Sequence, residues 1–273
     1  MFLVLALLGC SSEPEYTQTL LLEEGRENDG FGGVLVVDGD RMLVSAPSRQ
    51  SQSRGDSWAF VFERSDSGWV QVAALEGISA DLGYGGGMDL SGDRAVIGGR
   101  IVERGEDGSW SVVATLARPE RAFSTFGSAV ALDGDRVLVG APPMWVPEKD
   151  GNPGAVYVFE RQADGEWAQV SRILASDPDD QDKFGTDIAV SGDRALIGAW
   201  GDDGQYGEDS GAAYVFERRD DGEWAEMAKL APAGGDSRAG QAVALSGDRA
   251  LIGAPWARYE GRAYLFERTA DSR

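Results

Sequence analysis

The sequence predicts an all-β fold, because one pattern of short strands and tight turns recurs five times in 273 residues. Each repeat opens with an aromatic residue, or once with alanine, that is followed by glycine. These openings lie at Phe31, Tyr84, Phe126, Phe184 and Ala239. Apolar runs separated by turn residues are typical of strands. The repeats start 42 to 58 residues apart, which is the size of a β-propeller blade, and each except the last contains four strand signals. We therefore predict a β-propeller of five four-stranded blades.

The third repeat shows the four strand signals in order. They are predicted at Ala129–Leu132, Arg136–Gly140, Ala155–Arg161 and Trp167–Leu174. The first two strands are joined by a Gly-containing turn, in which glycine supplies the positive φ of a short hairpin. Because the first strand alternates large residues with small ones such as Ala131, we expect it to lie nearest the axis, where blades converge.

The last repeat has only three strand signals, and a segment near the N-terminus resembles the missing fourth. Tyr16–Gly25, YTQTLLLEEG, aligns with Trp69–Gly77, WVQVAALEG, which is the fourth strand of the first repeat. We expect Tyr16–Leu22 to pair with the last blade, because this would close the ring and remove open sheet edges.

The repeat resembles the bacterial FG-GAP repeat, which is related to the blades of the integrin α-subunit propeller. The resemblance rests on FGxxVALSGDRxLIGAP, GAAYVFER and GEW, and it covers almost all of the chain after Tyr16. It implies the propeller fold but no particular function. Integrin-type repeats often carry a calcium loop in the first hairpin, whereas DGDR and SGDR lack the six to eight oxygen ligands that calcium takes. We therefore predict no metal site and no cofactor.

Composition excludes several function classes. The formal net charge is -21, which would repel phosphate backbones, so we expect no nucleic-acid partner. The chain contains no histidine, which removes Ser-His-Asp and Cys-His catalysis and histidine metal ligands. Its single cysteine, Cys10, allows neither an intramolecular disulfide nor a zinc site.

The first residues resemble the leader of a bacterial lipoprotein. Phe2–Leu8 are continuously apolar but too few to span a bilayer, and Leu7-Leu8-Gly9-Cys10 is similar to a lipobox. The resemblance implies a signal peptide at 1–9, a lipid-modified Cys10 with a tether at 10–15, and the propeller at 16–273. It predicts an outer-membrane lipoprotein of the bacterial cell envelope, facing the periplasm or the exterior, that meets the membrane through its lipid only. The alternative is a cysteine that stands in an apolar leader by chance.

Two further patterns recur in every blade and are interpreted as structural. An arginine opens each second strand and a Glu-Arg pair ends each third strand, which predicts an ion pair between neighbouring strands in every blade. Tryptophans open four of the predicted fourth strands and are expected in the core; they are Trp69, Trp110, Trp167 and Trp224.

Other aromatic residues cluster in the variable loops and form the predicted ligand face. The set comprises Trp58, Trp145, Trp200, Tyr206, Trp256 and Tyr259. Strand alternation places these loops on one face, which meets the ligand in integrins, and aromatic residues are frequent in binding hot spots. The alternative is that they cap the cores of the blades.

Acidic residues suggest weaker hypotheses. Two clusters, Asp177 to Asp182 and Asp202 to Asp209, are interpreted as solvated loops. Asp89 and Asp187 interrupt the apolar innermost strands, where they either are solvated or hold a cation in the channel. The triplet Arg54-Gly55-Asp56 is an integrin ligand motif, but because the chain is rich in all three residues, a chance occurrence is the favoured interpretation.

Three function classes remain open. The first is a non-enzymatic propeller that binds an envelope or extracellular protein or glycan through the loop face. The second is a propeller glycosidase, which the small or uncharged residues at the starts of the innermost strands disfavour. The third is a purely structural envelope protein.

Overall fold

A computed structural model describes residues 18–20, 22, 30–46, 58–75, 86–119, 125–143, 152–204, 207, 209–232, 237–257 and 260–269. These residues form antiparallel sheets that correspond to the five repeats, so the predicted five-bladed propeller is confirmed. Within the same residues, no helix is long and apolar enough to cross a membrane.

Each blade pairs its strands in chain order, and in blades 1 to 4 there are four of them. Blade 1 comprises β1 (Leu35–Asp38), β2 (Arg41–Ala46), β3 (Trp58–Ser65) and β4 (Gly68–Leu75). Blade 2 comprises β5 (Met88–Ser91), β6 (Arg94–Ile97), β7 (Arg100–Arg104) and β8 (Trp110–Thr115). Blade 3 comprises β9 (Val130–Asp133), β10 (Arg136–Ala141), β11 (Ala155–Arg161) and β12 (Trp167–Ile173). Blade 4 comprises β13 (Ile188–Ser191), β14 (Arg194–Ala199), β15 (Ala212–Arg218) and β16 (Trp224–Leu230). Blade 5 comprises β17 (Ala242–Ser246), β18 (Arg249–Ala254) and β19 (Arg262–Glu267).

The hydrophobic core lies between the blades. Val96 and Ile101 of blade 2 pack against Val137, Val139 and Phe159 of blade 3, and all five are fully or almost fully buried. The first strands of successive blades are neighbours, as expected for innermost strands. The four fourth-strand tryptophans pack against buried apolar clusters as predicted, although only Trp110 is itself buried and the other three are partly buried.

Glycines allow neighbouring blades to approach closely. A Cβ added to Gly140 in β10 would lie 2.2 Å from the carbonyl oxygen of Gly185, the glycine that opens blade 4. Gly198 and Gly240 repeat this contact between blades 4 and 5, at 2.0 Å. Because no side chain fits at either distance, these two glycine positions of the repeat are required by the packing of the blades.

The turns between strands 1 and 2 and between strands 3 and 4 lie at one end of each blade, which we call the hairpin end. The predicted ion pairs between second-strand arginine and third-strand glutamate form there in four blades: Arg41–Glu63 at 3.4 Å, Arg94–Glu103 at 2.7 Å, Arg136–Glu160 at 3.2 Å and Arg249–Glu267 at 3.0 Å. In blade 4 the prediction is wrong, because the ion pair of Arg194 is to Asp248 of the next blade, at 2.6 Å.

The N-terminal segment lies on blade 1. The side chain of Gln18 accepts a hydrogen bond from the backbone N–H of Trp69 and donates one to its carbonyl, at 2.8 and 2.9 Å. Leu20 and Leu22 pack on the face of blade 1 that is turned away from blade 2. Residues 16, 17 and 21 lie outside the described residues, so pairing of this segment with blade 5 stays a prediction.

Candidate ligand-binding face at the loop end

The loops between strands 2 and 3, and those that lead into each new blade, lie opposite the hairpin end, and we call this side the loop end. Of the predicted ligand face, the structure describes the side chains of Trp200 and Trp256. Trp58 begins β3, but its side chain lies outside the described residues. The same is true of four other predicted sites: Cys10, Trp145, Tyr206 and Tyr259. The Arg-Gly-Asp triplet at 54–56 is also outside them.

Trp200 and Trp256 are brought together by an arginine that sequence analysis did not select. The guanidinium carbon of Arg238 lies 4.9 Å from the ring centroid of Trp200 and 5.0 Å from that of Trp256. Lys183 Nζ lies 5.9 Å from the ring centroid of Trp200. We call these four residues the cation–π ladder. Trp256, at the end of the ladder, is 54% exposed, whereas Trp200 is partly buried.

The two cations of the ladder occupy equivalent places in the repeat. Lys183 and Arg238 each directly precede the opening residue of a blade, and both have left-handed backbone conformations, with φ of 62° and 48°. Lys183 Nζ is buried and donates hydrogen bonds to the carbonyl of Pro143 and to Gln181 Oε1, at 3.0 and 2.7 Å. The Arg238 guanidinium instead lies 3.7 Å from a carboxylate oxygen of Asp209. One end of the ladder, Lys183, is therefore buried, and the other end, Trp256, is exposed to solvent.

A polar cluster lies at the same end of blade 4 and comprises Asp177, Asp202, Tyr214 and Lys229, of which Asp202 and Tyr214 are buried. The Tyr214 hydroxyl lies 2.5 Å from Asp202 Oδ2 and 2.9 Å from Asp177 Oδ1. Lys229 Nζ lies 2.8 Å from Asp177 Oδ2 and 2.7 Å from Asp202 Oδ2. Asp202 is only 2% exposed, so the interpretation as a solvated loop is wrong for this residue, whereas the neighbouring Asp203 is exposed. Lys229 and the Tyr214 hydroxyl satisfy Oδ2 of this buried carboxylate. Its Oδ1 is also buried and has no hydrogen-bond partner among the described residues.

Hydrogen bonding decides the ionisation of this cluster. Burial acts to lower the pKa of Lys229, but hydrogen bonds to Asp177 and Asp202 hold it above its ordinary value. Burial acts to raise the pKa of Asp177, but hydrogen bonds from Lys229 and Tyr214 hold it below its usual range. Burial, together with the two acceptor carboxylates, raises the pKa of Tyr214. The cluster thus contains a neutral phenol and a lysine–aspartate ion pair at neutral pH.

Asp182 is a buried carboxyl beside this cluster. It is 3% exposed, and its Oδ2 accepts a hydrogen bond from the backbone N–H of Asp179 at 2.6 Å. Burial, followed by the negative charges of Asp202 and Asp179, raises the pKa of Asp182 to about 7. Within the described part of the chain, no three Asp, Glu or Cys side chains are arranged to hold a metal ion.

Asp89 and Asp187 connect the innermost strands of neighbouring blades. Asp89 Oδ2 accepts a hydrogen bond from the backbone N–H of Leu132 in blade 3, and Asp187 Oδ2 accepts one from that of Val243 in blade 5, both at 2.7 Å. Burial raises the pKa of both carboxyls despite these bonds. The sequence suggested that these two carboxyls are either solvated or bound to a cation in the channel. The structure shows neither, because each is partly buried and accepts hydrogen bonds from backbone amides.

Comparison with known proteins agrees with this architecture. A family model described as FG-GAP repeat matches residues 110–159, 167–216 and 224–266, which together make up more than half of the chain. Each match begins at the tryptophan that opens a fourth strand and runs through the third strand of the next blade. No curated protein matches the sequence. The chain therefore belongs to the FG-GAP repeat family and forms an integrin α-like five-bladed propeller.

Proposed function

We propose that the protein is a non-enzymatic binding module that holds a protein or carbohydrate ligand at the loop end of blades 4 and 5. The observation that carries this proposal is the exposed indole of Trp256, which stacks on Arg238 at the end of the cation–π ladder. Tryptophan and arginine are the residues most enriched in binding hot spots. An indole also offers a flat apolar face to a sugar ring or to a partner side chain.

The ladder supports binding because it restricts Trp256 before a ligand arrives. Arg238 is placed between two indoles, and its backbone N–H donates a hydrogen bond to the carbonyl of Asp209 at 3.0 Å. A side chain that is already ordered loses less conformational entropy on binding. Arg238 also stacks on Trp200, which in turn contacts the buried Lys183, so the exposed indole is connected to the protein interior.

Among the described residues, no pair of carboxyl groups favours the glycosidase alternative. A glycosidase needs two accessible carboxyl groups on either side of a bound sugar. Asp182 and Asp202 are buried, whereas Asp89 and Asp187 are hydrogen-bonded to backbone amides. The proposal therefore assigns no catalytic residue.

A glycan array tests the carbohydrate form of the proposal. We expect Trp256→Ala to weaken binding to any glycan hit at least tenfold, which corresponds to about 1.4 kcal/mol. The matched control is Val113→Ala, which truncates an exposed residue of β8 in blade 2 and should leave binding unchanged. Equal binding by Trp256→Ala and the wild type would contradict the proposed face. A hydrolysis assay on the same hits tests the glycosidase alternative.

We also propose that lipid on Cys10 anchors the propeller to the bacterial cell envelope. The support is the apolar run that ends in Gly9-Cys10 and the polar residues that follow it. Cys10→Ala should move the protein from the membrane fraction to soluble or precursor fractions. If fractionation does not change, the anchor is not at this cysteine.

A further inference from the structure

Apolar residues are exposed on the two faces at the ends of the row of blades. We call these the end faces: the side of blade 5 turned away from blade 4, and the side of blade 1 turned away from blade 2. Leu251 and Leu265 of blade 5 are 43% and 61% exposed, whereas Leu196, the equivalent of Leu251 in blade 4, is fully buried. On blade 1, Leu35 is 65% exposed, whereas Val130, its equivalent in blade 3, is 7% exposed. Each end face therefore exposes apolar residues that a neighbouring blade covers at the interior interfaces.

Each end face also carries one half of an ion pair that joins neighbouring blades at the hairpin end. At the interior interfaces, a second-strand arginine meets an aspartate in the first hairpin of the next blade: Arg41–Asp93, Arg94–Asp135, Arg136–Asp193 and Arg194–Asp248. The arginine of blade 5 is Arg249, whose side chain is 72% exposed and pairs with Glu267 of its own blade at 3.0 Å. The equivalent aspartate of blade 1 is Asp40, which is exposed and lies 3.8 Å from Arg64 of its own blade. Blade 5 thus offers the arginine of this contact and blade 1 offers the aspartate.

A second interblade ion pair is divided between the end faces with the opposite polarity. At the interior interfaces, a third-strand arginine meets the third-strand glutamate of the preceding blade: Arg104–Glu63, Arg161–Glu103, Arg218–Glu160 and Arg268–Glu217, at 2.8, 3.9, 3.0 and 3.9 Å. Glu267 of blade 5 and Arg64 of blade 1 occupy these positions at the ends of the row, and both are exposed. Among the described residues, their ion pairs stay within their own blades. The two end faces are therefore complementary in charge at two places.

The close approach of glycines is divided in the same way. Gly253 has in blade 5 the second-strand position of Gly140 and Gly198, which touch the opening glycine of the next blade. The atoms nearest to a Cβ added at Gly253 instead belong to Ala242 of its own blade, at 3.4 Å. Gly32 opens blade 1 with the left-handed φ of 89° that the later opening glycines also have, yet a Cβ added there would meet nothing within 4 Å. Both surfaces of this backbone contact are present, and both are unused.

We infer that blade 5 of one copy of this chain docks on blade 1 of a second copy, as each blade packs on the next within the chain. Arg249 of one copy then meets Asp40 of the other, and Glu267 meets Arg64. The occupant is a second copy because both end faces are exposed in the same chain and carry the two halves of one repeated contact. The contact is head-to-tail, so copies either close into a ring or continue as a chain.

The N-terminal segment leaves the inner part of the blade 1 end face open. Leu20 and Leu22 pack on β2 and β3, whereas Leu35 and Val37 of the innermost strand remain exposed. In the interior blades, the fourth strand of the preceding blade also contributes to this outer area, as Leu116 does on blade 3. Blade 5 has three strands among the described residues, so the segment occupies a place that a docking blade 5 does not fill.

Paired charge reversals test the contact in the full chain with Cys10→Ser, which is the parent protein. One variant combines Arg249→Glu with Glu267→Arg on blade 5, and the other combines Asp40→Arg with Arg64→Asp on blade 1. Each keeps the net charge and an opposite-charge pair within its blade, but places like charges across the proposed contact. Sedimentation velocity over a series of protein concentrations measures the mass. We expect the parent to form assemblies of two or more copies, and each variant to need at least tenfold higher concentrations.

An equimolar mixture of the two variants separates association of copies from closure within one chain. The reversed face of blade 5 matches the reversed face of blade 1, and the two unchanged faces match each other, so the mixture should associate like the parent. Contact between blades 5 and 1 of the same chain would gain nothing from mixing. The control combines Arg219→Asp with Asp220→Arg, exposed in the turn before β16, and should also associate like the parent. A parent that sediments as one copy at every concentration, variants that associate as the parent does, a mixture no better than its components, or a control as weak as the variants would overturn the inference.

Discussion

The two ends of the propeller are built from different kinds of contact. At the hairpin end, the second-strand arginine of each of blades 1 to 4 reaches an aspartate in the first hairpin of the next blade. These pairs are Arg41–Asp93 at 2.7 Å, Arg94–Asp135 at 2.8 Å, Arg136–Asp193 at 3.5 Å and Arg194–Asp248 at 2.6 Å. At the loop end, the cation–π ladder depends on Lys183 and Arg238, where the other repeats have glycine or threonine. The polar cluster of blade 4 adds Asp177 and Asp202 to a tyrosine–cation contact that blade 3 also has, between Tyr157 and Arg172.

This difference separates residues that serve the fold from residues that serve binding. A contact that recurs in every blade is explained by the need to join one blade to the next, which is the same at every interface. A contact found at one interface is not explained in that way, and a fold by itself does not determine a function. Substitutions of repeated contacts should therefore change stability, whereas substitutions at the exposed end of the ladder should change binding.

The largest effect is expected where backbones of neighbouring blades touch. In Gly140→Ala, the added methyl group would lie 2.2 Å from the carbonyl oxygen of Gly185, so blades 3 and 4 must move apart. We expect the free energy of unfolding to fall by about 3–5 kcal/mol, measured by urea titration.

The matched control for this variant is Gly134→Ala in the hairpin of the same blade. Gly134 has a φ of 59°, but its added Cβ would meet nothing within 4 Å. Only backbone strain remains, at about 1–2 kcal/mol. Equal losses in the two variants would show that the blades do not depend on this close approach.

The second effect is a gain in stability above neutral pH when Asp182 is replaced by asparagine. Because its folded pKa, about 7, lies above the ordinary 3.8, its contribution to stability is fully present below about pH 4 and is lost as the pH rises towards 7. Asp182→Asn cannot ionise and keeps an acceptor for the N–H of Asp179. At pH 8 we expect the variant to be more stable than the wild type by about 1–3 kcal/mol, and at pH 4 we expect little difference.

Thermal melts of both proteins between pH 4 and pH 8 measure this effect. Changes in overall charge repulsion affect the two proteins almost equally, so their difference isolates Asp182. A variant that is less stable than the wild type at pH 8 would mean that the ionised carboxylate is favoured in the folded protein.

A smaller loss is expected at the hairpin end. Arg136 is 16% exposed, forms ion pairs with Glu160 and Asp193, and stacks on Trp224. Arg136→Ala should cost about 1–2 kcal/mol by urea titration, more than an exposed ion pair alone, because it also loses the cation–π contact. Arg219→Ala, an exposed position in the turn before β16, is the control and should stay within about 0.5 kcal/mol of the wild type. Equal losses would contradict a stabilising role of the hairpin-end contacts.

The smallest effect is expected from removing metal ions. The first hairpins are too short to be calcium loops, so EDTA should leave the melting temperature nearly unchanged. A large decrease that added calcium reverses would show that acidic loops hold a cation.

The sequence was sufficient to predict the repeated part of the molecule. The strand signals of the third repeat match β9 to β12 within one residue at each end, because hairpin turns and alternating apolar residues are local features. The repeated Arg–Glu spacing was also predictive, since residues at the ends of neighbouring antiparallel strands face each other. The contacts from these arginines to the next blade were not predicted, because they depend on how two sheets are placed.

The loop end was predicted only in part. Trp200 and Trp256 were selected as exposed aromatic residues, but Arg238 and Lys183 were not. A signal for them was available: a cation precedes the opening residue in repeats 4 and 5, where the earlier repeats have Gly30, Gly83 and Thr125. The cluster around Tyr214 was missed because burial of Asp202 depends on Lys229, which lies 27 residues away in the sequence.

Hydrogen exchange tests most directly whether the loop end is the binding face. Exchange of the full chain is measured with and without a cell-envelope extract, for the wild type and for Trp256→Ala. The account predicts that ligand slows exchange at residues 176–183, 200–204, 237–241 and 254–257, leaves the hairpin-end turns unchanged, and loses its effect in Trp256→Ala. Protection at the hairpin end, or equal protection in Trp256→Ala, would contradict it.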